Sequence, residues 1–185
     1  VGETRHRARP MLSDAEMHTL YDRDWGPFAQ PERDAATVEL GKTLEGIHSI
    51  ADMSCGGAGV TPELGRYYGV IPTLGDFGNV YGYPYVGTLQ ETVPQLGVVD
   101  LFVCTETVEH LDDPDADLKL ISQHCRNLLL STPIWEEPEV VSHGHLWTWR
   151  KFDVEEMLAE AGFTPTGFVE VSIFGLWTAR SRQAS

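Results

Sequence analysis

A chain of 185 residues with 42% hydrophobic and 10% aromatic content is long enough for one domain with a sizeable core and too apolar to be disordered. Its formal net charge of −15 argues against a general nucleic-acid binder, because phosphate contacts supply most of such affinity. No run of about 18 apolar residues predicts a membrane span, the opening "VGETRHRARP" lacks the apolar stretch of a secretory signal, and Cys55, Cys104 and Cys125 have neither metal nor disulfide spacing, so a cytoplasmic protein without a membrane partner is expected.

In chain order, the basic cluster "RHRAR" (Arg5 to Arg9) reads as a frayed, solvated terminus. "SDAEMHTLY" opens on an N-cap serine and predicts a helix. "PERDAATVELGKTL" (Pro31 to Leu44) predicts a second, with Ala35, Val38 and Leu44 facing a core. "HSIADMSC" predicts a buried strand, "TPELGRYYG" a helix, and "VIPTLGDF" a strand closing on Asp76. A weak strand follows near Tyr85 and Val86. "VVDLFVCTE" (Val98 to Glu106) is almost wholly apolar, as a strand covered on both faces should be. "DDPDADLKLISQHC" is a helix, "NLLLSTP" a buried strand, and "KFDVEEMLAEAGF" a helix stopped by Gly162. "GFVEVSIFG" and "LWTARSR" form a closing antiparallel pair. The alternation predicts an α/β, doubly wound sheet, with residues 1–45 as an N-terminal helical segment, a possible cover, and 46–185 as the domain proper.

One junction stands out: "SIADMSCGGAGVTPEL" (Ser49 to Leu64) passes from strand through a glycine turn to a helix. Glycines let backbone approach a ligand closely, and the helix N-terminus offers free N–H groups. Nicotinamide, flavin and methyl-donor sites all use such turns. The dinucleotide fingerprint G-x-G-x-x-G needs a later glycine that this chain lacks, so a nicotinamide oxidoreductase is the poorer fit.

"ADMSCGGAG", "VVDLFVCTETVEHLDDPDADLKLI", "NLLLSTP" and "KFDVEEMLAEAGF" occur in that order, and together they resemble the class I S-adenosylmethionine-dependent methyltransferases over about residues 30 to 182. The resemblance implies a Rossmann-like, mostly parallel seven-stranded sheet with helices on both faces, its last strand antiparallel, and S-adenosylmethionine across the carboxyl ends of the first strands. It implies that Asp52, Ser54, Cys55, Gly56, Gly57 and Ala58 surround the methionine part. Asp76 and Phe77 belong with the ribose, Thr88 and Leu89 with adenine, and Thr105 and Glu106 with the end of the fourth strand. Ser54 and Ala58 stand where that family commonly has glycine, and its Pro-Gly-Gly turn before the fifth strand is shortened to "HCRN".

On the acceptor side, Glu106, Glu109 and His110 stand at i, i+3 and i+4 and would project from one face of a helix. Two carboxylates and an imidazole suit a hard divalent ion such as magnesium or manganese. E-x-x-E-H with a late H-x-x-x-W resembles the metal-dependent 2′-O-methyltransferases of small-RNA ends and is similar to the ubiquinone-pathway O-methyltransferases. That resemblance implies His145 as a further ligand and Trp149 as the aromatic. Without a metal, His110 is a general base or orients the nucleophile, and His143 and His145 line the substrate mouth. Trp25, Trp135, Trp147 and Trp149 are candidate walls of an apolar pocket, with core packing the other reading for the last three. Methyl transfer to an oxygen of a small-molecule acceptor fits best, with Glu106, His110 and His145 as catalytic residues. Metal-assisted 2′-O-methylation of an RNA end and a non-catalytic S-adenosylmethionine-binding protein are the alternatives.

Overall fold

The computed structural model describes residues 5–22, 30–142 and 144–183. Seven strands form one sheet: β1 (Ile50–Asp52), β2 (Thr73–Asp76), β3 (Tyr85–Val86), β4 (Val99–Thr105), β5 (Cys125–Pro133), β6 (Phe163–Val171) and β7 (Phe174–Ser181). Their order is β3-β2-β1-β4-β5-β7-β6, and only β7 runs against its neighbours. The order reverses between β1 and β4, which is where a doubly wound sheet opens a crevice at its carboxyl edge. The closing hairpin turns at Ser172 and Ile173, three residues before the junction expected from the sequence, and Ser172 takes φ +55 there.

The apolar run of β4 is covered on both sides. Leu101 and Val103 join one core with Leu40, Val60, Leu64, Leu129 and Leu176, whereas Phe102 and Cys104 join the other with Leu118, Ile121, Val154 and Trp177. Period-two alternation thus persists inside a run that shows no polar alternation. Each such side chain, removed from water, contributes roughly 1.5–3 kcal/mol before entropy is counted.

Among the described residues six α-helices cover this frame: α1 (Asp14–Tyr21), α2 (Pro31–Gly41), α3 (Thr61–Tyr68), the short α4 (Leu89–Thr92), α5 (Pro114–His124) and α6 (Lys151–Glu160). α2, which lies before residue 45, packs on β5, β6 and β7. Its inward face is Arg33, Thr37, Leu40 and Gly41; Ala35 is exposed, against expectation, because Arg33 and Thr37 take that face, Arg33 paired with Asp34 and Glu106 and the Thr37 hydroxyl on the Arg33 carbonyl.

The N-terminal basic cluster is not frayed. His6–Arg7 pairs antiparallel with Trp147–Thr148. Arg5 and Arg7 sit on the Trp147 ring, 4.6 and 5.2 Å from its centroid, and form ion pairs with Asp115 and Asp112. Cation–π stacking and local acids explain why the segment is held despite its charge. No helix among the described residues is long and apolar enough to cross a membrane.

Candidate active site

The glycine turn leaves β1 as expected. Gly56 takes φ +47, and a β-carbon built there would meet nothing within 4 Å, so the turn faces open space. Ala58 takes φ +53, which explains why glycine would be the usual residue at that position. Burial raises the Asp76 pKa, while the nearby backbone amides of Gly56 and Phe77 oppose the rise by favouring its charged form, which places the end of β2 beside the turn. Cys55 N–H donates to the Gly75 carbonyl at 3.1 Å, and Tyr83 closes the turn from the β2–β3 loop, its hydroxyl 2.9 Å from the Gly56 carbonyl.

Asp52 is turned inward rather than toward a ligand. It is 2% exposed, one oxygen accepts from Ser54 N–H at 3.2 Å and the other from the Thr61 hydroxyl at 2.5 Å. It ties the turn to the start of α3, and burial pushes its pKa up to about 7. The Ser54 hydroxyl bonds that of Thr107 at 2.8 Å, and Gly57 is exposed. The Thr88 hydroxyl is engaged with Glu91 at 3.0 Å in capping α4, and Leu89 lies in the core at 4% exposure, so neither side chain is free for adenine. Phe77 packs beneath α1, with ring centroids 5.2 Å from His18 and 5.9 Å from Tyr21.

Beyond β4 the expected i, i+3, i+4 helix face does not form. Glu106 takes φ +52 next to Thr105, the last residue of β4, and only Val108–His110 makes a 3₁₀ turn. Glu106 instead takes partners outside that turn: its Oε1 accepts from the Ser131 hydroxyl at 2.7 Å and its Oε2 lies 3.1 Å from Arg33 Nη1. Burial and the Glu109 charge raise its pKa, with Arg33, Ser131 and His145 opposing.

Glu109, His110 and His145 do converge, with one ligand atom from each within 4.8 Å of the others; Glu106 is not of this set. Glu109 is 1% exposed, its Oε2 accepts from Thr132 Oγ1 at 3.0 Å, and its Oε1 is buried without a partner. Trp149 Nε1 donates in turn to Thr132 Oγ1 at 3.2 Å, so Trp149 belongs to the core and fixes Glu109 instead of walling a pocket. His110 Nδ1 lies 2.9 Å from the Gly144 carbonyl and 3.0 Å from the Tyr21 hydroxyl. A carbonyl can only accept, so Nδ1 carries the proton and Nε2 a lone pair, 3.9 Å from Glu109 Oε1. Burial lowers the His110 pKa, which keeps it neutral.

His145 lies edge-on to His110, 4.7 Å between centroids, with Nδ1 2.6 Å from Glu136 Oε2. Burial alone would depress the His145 pKa, but the bond to Glu136 and the charges of Glu109, Glu136 and Glu106 outweigh it and raise it. Trp147 spends its N–H on the Leu111 carbonyl at 2.9 Å under Arg5 and Arg7, and Trp135 donates to Glu170 on the edge strand at 3.1 Å. Neither tryptophan joins the His110–His145 cluster. Trp25 and His143 lie outside the described residues. Sequence reasoning missed Thr132, Glu136 and Arg33; no local pattern marks them, because each acts on a residue outside its own element.

No protein-family model and no curated protein matches the chain. Solved structures do. The [4+2]-cyclase SpnF superposes with a TM-score of 0.72 at 12% identity, over 94% of this chain and 97% of that one. Mitomycin 7-O-methyltransferase MmcR gives 0.68 at 13%, over 91% and 58%. The 1,6-didemethyltoxoflavin N1-methyltransferase of Burkholderia thailandensis, with its namesake compound and S-adenosylhomocysteine bound, gives 0.66 at 17%, over 94% and 92%. The chain has the class I methyltransferase fold. It spans little more than half the length of the larger of these relatives. A methyltransferase fold that also serves a cyclase does not name its own reaction, so function must be argued from the site.

Proposed function

We infer that the protein binds S-adenosylmethionine at the junction of the Gly56 turn and Asp76 and transfers its methyl group to a small-molecule acceptor. The observation that carries this reading is the junction itself: a left-handed Gly56 open to space, with the Asp76 carboxylate held against it at the carboxyl edge of β1 and β2. A carboxylate with two oxygens suits the paired hydroxyls of a ribose. When bound, S-adenosylmethionine supplies an electrophilic methyl carbon: the acceptor's lone pair forms the new bond as the carbon–sulfur pair returns to sulfur.

The chain's own residues then have two tasks, alignment and removal of one proton. His110 Nε2, neutral and with its tautomer set by Gly144, is the base for an acceptor hydroxyl or amine. His145, protonated and held by Glu136, balances Glu109 and stabilises negative charge on the acceptor oxygen. An oxygen of a small molecule remains the preferred acceptor, because an acidic surface repels a nucleic acid.

Thermal melting with S-adenosylmethionine, S-adenosylhomocysteine or NAD tests the donor. Native-state binding raises Tm by mass action, about 2.7 kcal/mol at one hundred times Kd. A rise with either methyl-donor species, absent in Asp76→Ala, is expected; a rise with NAD alone, or none, overturns the reading.

A second reading adds a divalent ion at Glu109, His110 and His145, favoured by one observation: an unpartnered buried carboxylate oxygen faces two imidazoles whose Nδ1 protons are both engaged elsewhere. Such outer partners are what metal-binding histidines use. The ion would supply Lewis acidity, lowering the pKa of an acceptor hydroxyl. Calorimetric titration of manganese into EDTA-treated protein should show one site that His145→Ala removes. An athermal titration with unchanged Tm leaves the proton on His145 as the counter-charge.

A further inference from the structure

We propose that Arg5 and Arg7 are positioning residues for His145: with the strand they belong to, they clasp the segment 146–148 and so hold the preceding histidine beside His110. This rests on the acceptor-side reading of His145 above and gives the N-terminal basic cluster a task.

The segment that follows His145 is held on two sides. On the inner side, Leu146 N–H donates to the Glu109 carbonyl at 2.7 Å and Trp147 Nε1 to the Leu111 carbonyl at 2.9 Å. On the outer side, His6 and Arg7 pair with Thr148 and Trp147, and the N–H groups of Ala8 and Arg9 donate to the Leu146 carbonyl at 2.8 and 3.3 Å. A two-stranded ribbon is marginal in water, so a ladder of two residues needs side chains to keep it closed. Arg5 and Arg7 supply them. Both lie on the Trp147 ring; Arg5 takes the two oxygens of Asp115 at 2.9 and 2.7 Å, and Arg7 pairs with Asp112. Arg5 keeps this place although its Nε is buried without a partner among the described residues.

The other side of His145 is gripped by the same stretch of chain. It continues into α1, where Leu20 lies 3.1 Å from where a β-carbon on Gly144 would stand and Tyr21 meets His110. Gly144 holds φ +91, so glycine both allows the turn and leaves room for Leu20. Residues 5–21 therefore touch the chain just before and just after His145. The imidazole itself is bonded to Glu136, which belongs to the same loop, and a bond within one loop cannot fix that loop to the rest of the fold. The distance from His145 to His110 is set by these outer contacts. The Asp115 and Asp112 side chains are 42% and 58% exposed, so salt screens both ion pairs and loosens the clasp locally while the core stays folded.

Footprinting with diethyl pyrocarbonate, which modifies unprotonated imidazole nitrogens, tests this on the full chain when each histidine is read by mass spectrometry. His145, with its side chain 12% exposed and bonded to Glu136, should react slowly in wild type at low salt. Arg5→Ala with Arg7→Ala should speed its modification roughly 10-fold, and the corresponding double lysine variant by less, because an ammonium keeps the charge but not the planar stack. His124, half-buried and bonded to the Leu96 carbonyl at 3.1 Å, should keep its wild-type rate, and Tm should stay within about 5 °C. Wild type in about 1 M salt should shift the same way. A rise shared in proportion by His124 assigns the cluster to global stability and overturns the proposal, as does an unchanged His145 rate in the double alanine variant. Should that variant not fold, the salt series on wild type decides: no rise of His145 over His124 overturns the proposal. Neither donor nor acceptor is present, so failure here leaves the donor reading intact, and failure of the donor reading shows in the melting experiment alone.

Discussion

Ala58 and Glu106 show how far a single residue's conformation can be read. Both hold φ near +50, where a β-carbon costs on the order of 1–2 kcal/mol. At Ala58 the neighbouring glycines announce a turn, and the departure from glycine is visible in the sequence. Ala58→Gly should relieve the strain while adding about 0.5–1 kcal/mol of unfolded-state entropy. The net expectation is a gain of about 0.5–1 kcal/mol and a Tm about 1–4 °C higher by calorimetry; a lower Tm would mean that the Ala58 methyl packs better than its backbone strains. At Glu106 nothing local announces the same conformation. The spacing Glu106, Glu109, His110 reads as a helix face, and the side chain leaves that face only because Ser131 and Arg33 hold it elsewhere.

Between elements, β5 positions the 3₁₀ turn through one hydroxyl. Thr132 accepts from Trp149 and donates to Glu109, linking the segment before α6 to the 3₁₀ turn beyond β4. Thr132→Val keeps the shape and orphans both groups, so a loss of about 2–4 kcal/mol is expected in urea denaturation, with Thr132→Ser close to wild type. Equal stability of the valine variant would show that Glu109 is satisfied by other means. The same reasoning explains the tryptophans. Alternate positions 147 and 149 share a face if extended, but one side chain goes under two arginines and the other into the core, since each indole N–H must find its own acceptor.

For the whole molecule, buried acids set the response to pH. Burial pushes both Asp52 and Asp117 up to about 7, with Thr61 and Ser54 opposing at the first and Gln90 at the second. The folded state then keeps protons that the unfolded chain releases near pH 4, so their contribution is complete below that value and is lost as pH rises through about 7. A net charge of −15 adds self-repulsion in the same direction. Tm should fall by roughly 5 °C between pH 5.5 and 8.5, and Asp117→Asn should flatten that slope. A Tm that rises over this range would show these acids to be ionised and well solvated in the fold.

The order of strands and helices was legible because it depends on local matters: apolar runs, caps, and the strand–glycine–helix succession at Asp52 to Thr61. So was the carboxylate that ends β2, since Asp76 and the turn belong to consecutive strands. Which side chains finally meet was decided by the tertiary structure. Arg33 reaches Glu106 across 73 positions, Glu136 fixes a histidine from the far side of a loop, and α1 lays Tyr21 on His110. These pairings follow from burial: a charged or polar group removed from water must take whatever partner the folded neighbourhood offers, and that neighbourhood is assembled from segments with no common local pattern.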